Sequence, residues 1–482
     1  MSACHIAHEA PTEPALDRLM GLIADRAGAL DPVEEFRAFA DDLHALMAEV
    51  ERDLLAAELA RLDLDVPELL IGGVLHKQVS RDFAPYMTRA GVVRVERSLY
   101  RANRDECAVC PLEFRAALVE GWWTPSAAML AMWAVAHLTA KEAAELFVRV
   151  GGMRPSRSSL DTLPRELNPR WEEQRTRFEE HIRAEETVPE DAVAVGVSLD
   201  GVLLPMKDGK RQQKKARAKR DGKKGGGPAG YKEAACATLA FYDADGERIG
   251  VTRYLGRMPE PKKATLKASL EDELAAVLNQ RPDLTCVGLA DGAKDNWTFL
   301  VRLLPPGSDE ALDFYHASEH LKEALDQAHG KGSTKSRSEH ERLKVILRET
   351  PGGVTTVIRA LAYRHRKHPR RKKLTCELKY FRTNHHRMDY AGLKARGLPI
   401  GSGVVEAANK TLVAVRMKRS GARWRIAGGQ GVLTFRALAK TGRFDRAWDL
   451  LIDTYKVPVA LPDNVLPFKP RGRSSQLQES SV

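Results

Sequence analysis

The sequence predicts an α/β protein. A core with a mixed five-stranded sheet carries a helical insertion and follows a mainly helical N-terminal region. Three observations predict this. Residues 190–320 alternate apolar strand runs with helical periods in the order β-β-β-α-β-α-β-α. Residues 321–397 are helical and basic, and interrupt that order before a further core segment at 398–450. Residues 1–65 and 121–185 carry helical spacing with recognisable caps.

Composition sets the outer bounds. The chain has 482 residues, 43% hydrophobic and 29% charged, enough for two to four domains and at least one sizeable core. Its longest apolar run, Ser126 to Leu138, is shorter than the roughly 20 residues that a bilayer requires, so no membrane partner is expected. The opening MSACHIAHEAPTEP has acidic residues and no apolar centre, unlike a signal peptide. Six scattered cysteines fit a reducing, cytoplasmic setting without a disulfide frame. The net charge of +11 is uneven. Residues 1–65 hold 15 acidic and 5 basic side chains, and the remainder is strongly basic in clusters. Such clusters imply a polyanionic partner, nucleic acid first.

Taken in order, Asp31-Pro32-Val33-Glu34 reads as a helix start, with Asp at N-cap and Pro at N1. The helix should run to about Arg61. Its apolar residues Phe36, Phe39, Leu43, Leu46, Val50 and Leu54 approach a heptad seam, which fits either a dimerising helix or an intramolecular amphipathic one. Residues 66–120 form a small β-rich segment in which GVVRVERSLYRA alternates as a half-buried strand does. The pair Cys107 and Cys110 lacks a second pair nearby, so it reads as a turn between strands, and zinc is not expected there. In residues 121–185, Thr124-Pro125 opens one helix. A second helix, the turn Gly151-Gly152 and a third helix from Pro155 then outline a helix-turn-helix. Arg154, Ser156 and Arg157 would face a DNA groove or its phosphates.

In the core, DAVAVGVSLDGVLLP reads as a buried strand. EAACATLAFYDADGERIGVTRYL reads as two strands joined at Asp243-Ala244-Asp245-Gly246. A helix at 265–280, the strand DLTCVGLADGA, the helix AKDNWTFLVRLL, a short strand LDFYHA and the helix SEHLKEALDQA follow. Three antiparallel strands and a crossover to a strand beside the first are the plan of a ribonuclease H-like domain. A basic, glycine-rich loop from Lys207 to Gly230 divides the first two strands. Its Lys214, Lys215, Lys219 and Arg220 are suited to phosphates. Residues 466–482 read as a disordered tail.

Candidate chemistry lies at strand ends. Asp200 ends the first buried strand and Asp291 the fourth, each followed by glycine. On neighbouring parallel strands their carboxylates would lie side by side, an arrangement that is costly without a cation. A third carboxylate on a later helix, Glu406 in LPIGSGVVEAANK, would complete a site for Mg²⁺ or Mn²⁺, an oxygen-ligand ion, with two ions serving phosphodiester chemistry. Ser402 is the expected N-cap of that helix, and Gly401-Ser402-Gly403 the joint where the chain re-enters the core. Singly, each acid has a blander reading: the aspartates as turn residues, the glutamate as a first-turn acid.

The segments SLDG, LADGAKDNW, DFYHASEHL and, most densely, LPIGSGVVEAANKTL, RMKRSGARWR and GGQGVLTFRAL resemble DDE transposases of bacterial insertion sequences, of the ISKra type, over residues 70–450. The resemblance implies a ribonuclease H-like catalytic core and a divalent metal, with strand cleavage and strand transfer at element ends. The catalytic trio falls on Asp200, Asp291 and Glu406. It also matches Asp313 and His316 to a DxxH signature as a secondary site. Lys410, Arg416, Lys418, Arg419, Arg423 and Arg425 are then expected along DNA phosphates. Trp424 either stacks on a base or anchors the core. The expected partners are double-stranded DNA, at element ends and target, and further copies of the chain bound to it. A nuclease that cuts without joining, and a DNA-binding protein without catalysis, are the alternatives.

Overall fold

The computed structural model describes residues 15–24, 33–207, 216–222 and 230–462. The proposed cap Asp31-Pro32, loop lysines Lys214 and Lys215, and the tail at 466–482 lie outside them. The chain divides into two compact units. One comprises Met1–Ala131, Ala140–Leu160 and Asp449–Val482, the other Met132–Thr139 and Asp161–Trp448. Among the described residues no helix is long and apolar enough to cross a membrane.

In the first unit, α1 (Ala15–Ala24) packs along α2 (Val33–Leu62), and Arg18 pairs with Glu49 between them. The seam positions divide: Phe36 and Leu54 are exposed, whereas Phe39, Leu43, Leu46 and Val50 are half-buried. Strands β1 (Glu68–Ile71), β2 (Val74–Thr88) and β3 (Gly91–Arg101) form an antiparallel sheet, with β9 (Val459–Ala460) added at the β1 edge. Cys107 and Cys110 do not join two strands. Cys110 stands in extended backbone before a short helix, α3 (Pro111–Arg115), because Pro111 at N1 favours helix initiation. Burial and the Glu113 charge push the Cys110 thiol up to about 11. Helix α4 (Pro125–His137) precedes α5 (Ala140–Val150), and Gly151 and Gly152, both at positive φ, make the turn to α6 (Arg157–Glu185). At Gly152 a Cβ would meet the Arg89 carbonyl at 2.5 Å. The helix after this turn has 29 residues, far longer than the short recognition helix of the expected motif.

The second unit is built on a mixed five-stranded sheet, as expected. Its strands are β4 (Ala194–Pro205), β5 (Tyr231–Tyr242), β6 (Arg248–Arg257), β7 (Thr285–Ala290) and β8 (Asp309–Leu312), ordered β6-β5-β4-β7-β8. Pairs β6·β5 and β5·β4 are antiparallel, and β4·β7 and β7·β8 parallel. The turn between β5 and β6 falls where Asp243 Oδ1 accepts from the Asp245 and Glu247 amides. Alternation along β4 decides the layers. Val195, Val197 and Leu199 face one core with α7 (Ala264–Gln280) and α8 (Lys294–Leu303). On the opposite face Ala194 joins a second cluster with Leu289 and Leu398.

The segment expected as a strand, LDFYHA, is divided differently. The strand stops at Leu312, and Asp313 caps α9 (Phe314–His329) by accepting from the His316 amide at 2.7 Å. Aspartate at N-cap satisfies an otherwise orphan helix donor, which ends the strand sooner than the apolar pattern suggests. Four helices follow: α10 (Thr334–Glu349), α11 (Gly353–Lys367), α12 (Lys372–Asn384) and α13 (Tyr390–Ala395). Their buried Leu343, Val357, Leu378 and Phe381 belong to the same apolar cluster as β4 and α8, so the inserted helices complete the core of the sheet. The ends of the excursion meet, since the Phe314 amide donates to the Ile400 carbonyl at 3.0 Å.

Past that point come α14 (Gly403–Ala408), one π-helical turn (Asn409–Ala414), α15 (Val415–Met417), α16 (Ile426–Thr441) and α17 (Phe444–Asp453). The glycines of GGQG let α16 approach its neighbours closely. A Cβ at Gly431 would stand 2.1 Å from the Pro164 carbonyl, and one at Gly429 2.5 Å from Met258 Cε.

Candidate active site at the strand ends

Register places the acids. Ser198 pairs with Leu289 across β4·β7, so two residues further Asp200 stands level with Asp291. Ala290 pairs with Leu312 across β7·β8, which sets Asp291 level with Asp313. Three aspartates therefore stand at one level across three adjacent parallel strands. Asp291 and Asp313 directly follow β7 and β8, whereas Asp200 does not end its strand as expected, because β4 runs on to Pro205 paired with β5 alone.

Their environments differ. Asp200 is partly buried, with Oδ1 accepting from the Gly201 amide at 2.7 Å and Oδ2 from Asn409 Nδ2 at 2.6 Å. Burial, and next the charge of Asp291, raise its carboxyl above the usual range, against the lowering pull of the Gly201 amide, Lys263 and His316. Asp291 Oδ1 accepts from the Ala293 amide at 3.0 Å, while its backbone carbonyl accepts from the Trp297 indole. Asp313 is 1% exposed and fully engaged. Oδ2 takes the Ser402 hydroxyl at 2.6 Å and also the Ser402 amide, and Oδ1 takes the His316 amide. Ser402 does stand at the N-cap of α14, but its side chain makes no capping bond, because the hydroxyl is committed to Asp313. The His316 ring lies 3.9 Å from Glu319.

Glu406 lies on α14, which packs on β4 and β5 through Val405 and Ala408. Its side chain is exposed, and no hydrogen bond or ion pair joins it to either aspartate. The residue that reaches Asp200 is Asn409, one turn later. It is 8% exposed, and its Oδ1 is buried without a partner. Among the described residues no group of three or more His, Cys, Asp and Glu side chains is drawn close enough to hold an ion. The chemistry of the pair still suits a hard divalent cation. Two carboxylates repel one another, one of them is partly desolvated, and a buried amide oxygen without a donor adjoins them.

Three residues beside this site carried no strand-end signal in the sequence. Lys263 follows Lys262 with both at φ +55°, in the left-handed region, and Lys263 Nζ lies 2.8 Å from Glu233 Oε1 and 3.3 Å from Asn296 Oδ1. Asn296 in turn donates to the Leu199 carbonyl and Asp291 Oδ1, each at 3.4 Å. Tyr380, on α12, lies over Gly292, where a Cβ would stand 2.5 Å from its ring. Its hydroxyl is buried without a partner, and burial, then the charges of Asp291 and Asp313, push its ionisation above the usual tyrosine range.

The expected DNA contacts separate into two groups. Lys410, Lys418, Arg423 and Arg425 are exposed and Arg419 is half-buried. Arg154, Ser156, Arg157, Lys219 and Arg220 are exposed as well, with the Ser156 hydroxyl capping α6 by accepting from the Ser159 amide at 3.0 Å. Arg416 is a correction: it is 7% exposed, donates to the Val135 carbonyl at 3.0 Å and sits beneath the Trp424 ring, out of reach of a DNA backbone. Trp424 takes the anchoring alternative. Its indole donates to the Met417 carbonyl at 2.8 Å, and its backbone pairs with the end of β4 at Pro205 and Lys207. Neither a protein-family model nor a curated protein matches the sequence.

Proposed function

We propose that this chain is a metal-dependent transposase with a ribonuclease H-like core, cutting and joining DNA strands at the ends of a mobile element. The single observation that carries the reading is the placement of Asp200 and Asp291 side by side on adjacent parallel strands, beneath the helix that bears Glu406. The sheet order β6-β5-β4-β7-β8, antiparallel then parallel, supports the fold assignment. A divalent cation, when bound, supplies Lewis-acid charge for phosphodiester exchange.

In this reading Asp200 and Asp291 hold the cation, and Glu406 completes its protein ligands from α14. Asn409 fixes the rotamer of Asp200. The exposed cations Lys410, Lys418, Arg423 and Arg425 hold the DNA backbone as its phosphate approaches the carboxylates. In the first step a water oxygen bonds to phosphorus while the P–O3′ bond breaks, leaving a 3′-hydroxyl. In the second, that hydroxyl bonds to a target phosphorus, and the target's own P–O3′ bond breaks. Each step exchanges one phosphodiester or water oxygen for another and requires no oxidant.

The test is an assay with purified protein, a labelled element end, target plasmid and Mg²⁺ or Mn²⁺. Joined products are expected, and Asp200→Asn, Asp291→Asn and Glu406→Gln should each abolish them while DNA binding persists. Cuts without joining would reassign the protein as a nuclease. Binding with no cuts in either metal would overturn the catalytic reading.

A further inference from the structure

The turn between α11 and α12 holds the densest charge in the second unit. From Arg364 to Lys373 nine of ten residues are Arg, Lys or His. Two of these cations are neutralised by the fold. Arg364 is buried against Glu339, and Lys373 Nζ lies 3.0 Å from Glu377. The other five, Arg366, Lys367, Arg370, Arg371 and Lys372, are exposed, and among the described residues none has a carboxylate partner.

Helix electrostatics explain only some of them. Arg366 and Lys367 close α11, where the helix dipole favours cations, and Lys367 also lies 4.5 Å from the Tyr363 ring centroid. Arg370, Arg371 and Lys372 are different. They crowd the start of α12, where the dipole is positive and Arg371 at the N-cap provides no side-chain acceptor. A cation there is unfavourable relative to an acid. Three in succession work against the local fold, so their placement is accounted for by an anion outside it.

Helix α12 also measures how far this turn lies from the carboxylates. Lys372 begins the helix, and Tyr380, eight residues on, lies over Gly292 directly after Asp291. At 1.5 Å per residue the two ends of that span are about 12 Å apart along the axis. On a DNA strand rising about 3.4 Å per nucleotide, this equals between three and four steps.

We infer that the α11–α12 turn is a second phosphate-binding tract, on which Arg366, Lys367, Arg370, Arg371 and Lys372 grip the DNA backbone a few nucleotides from the phosphate at Asp200 and Asp291. The inference rests on the reading of the site as a DNA-processing one, and adds the inserted helices to its DNA-binding surface. An acidic protein segment, such as residues 1–65 of another copy, is the competing occupant. The spacing to the strand-end acids favours DNA.

The experiment compares the full chain with a variant carrying Arg366→Gln, Lys367→Gln, Arg370→Gln, Arg371→Gln and Lys372→Gln. Binding to a labelled 40-base-pair duplex is measured without divalent metal from about 50 to 200 mM salt, where each engaged phosphate contributes about 0.9 to the slope of log K against log salt. The slope should fall by about 4–5 and the affinity at the low-salt end at least tenfold, with the thermal midpoint unchanged or raised. If the fivefold variant does not fold, Arg370→Gln with Arg371→Gln is measured instead, with an expected fall in slope of about 1–2. Unchanged slope and affinity overturn the inference and leave the catalytic reading standing. A loss of self-association at unchanged DNA affinity also overturns it, in favour of the acidic segment. Failure of the unsubstituted chain to bind DNA at all overturns both.

Discussion

Asp200 and Asp313 stand at one level of the same sheet, on strands separated by β7, yet loss of their charges should move stability in opposite directions. Asp313 is buried and accepts three hydrogen bonds, two from Ser402 and one from the His316 amide. Asp313→Asn replaces one carboxylate oxygen by an NH₂ group. On the Ser402 side that leaves two buried donors facing a third. With roughly 1–3 kcal/mol for each buried group left unsatisfied, the loss is about 3–5 kcal/mol. Ser402→Ala removes one bond to a charged acceptor, about 1.5–3 kcal/mol, and the double variant should cost less than the sum because the two share a contact. Asp200 behaves in the other sense. Burial first, and then Asp291, raise its carboxyl in the folded state, so its ionised form costs stability once the pH is above the unfolded value. Asp200→Asn in metal-free buffer should therefore be neutral or stabilising. The assay is urea unfolding in EDTA, followed by tryptophan fluorescence. At an m-value of about 3 kcal/mol/M, Asp313→Asn should lower the midpoint by about 1–1.7 M. An Asp313→Asn variant within about 0.5 M of the parent, or an Asp200→Asn variant destabilised as much as Asp313→Asn, refutes the assignment of Asp313 as a structural pin and Asp200 as the repelled site carboxylate.

Three further outcomes follow from the same geometry. Glu273 is 1% exposed, with Arg443 at 2.7 Å and Arg253 at 3.2 Å, so Glu273→Gln should cost about 3–5 kcal/mol in thermal or urea unfolding by leaving buried guanidinium charges uncompensated. Burial works to raise that carboxyl, but the Arg443 hydrogen bonds and the charges of Arg443, Arg253 and Arg183 together outweigh it and hold it below its ordinary value. Its contribution is therefore present above the unfolded value and is lost as pH falls through the folded one, and the variant should show a flatter acid limb. Trp424→Ala should lower stability by about 2–4 kcal/mol and leave the salt dependence of DNA binding unchanged, whereas a base-stacking role would weaken binding at unchanged stability. Asn409→Ala frees Asp200 Oδ2 and should slow strand cleavage at least about tenfold with DNA affinity intact, which gel-based cleavage and binding assays on one preparation separate.

The strands, and the acids that follow their apolar runs, were legible because both are local features, although β4 continues past Asp200 to Pro205. A run such as AVGVSL can only be buried, and the residue after it is at the edge of the core wherever the strand goes. The parallel neighbours followed from the connection rules that link β4 to β7, and with them the meeting of Asp200 and Asp291. Other features depended on partners far along the chain. Asn409 meets Asp200 across 209 residues, and Ser402 meets Asp313 across 89. Nothing in NKTL or GSGV distinguishes a side chain turned to an aspartate from one turned to solvent. Arg416 looks like its basic neighbours until α4 presents a carbonyl to it, and Trp424 like a free aromatic until β4 pairs with its backbone. The sequence by itself determined the sheet, its order of elements and the two aspartates that share an edge. Only the tertiary structure decided which polar groups are spent on the fold and which remain for a ligand, because a side chain's partners are set by packing between segments whose local chemistry is the same in either case.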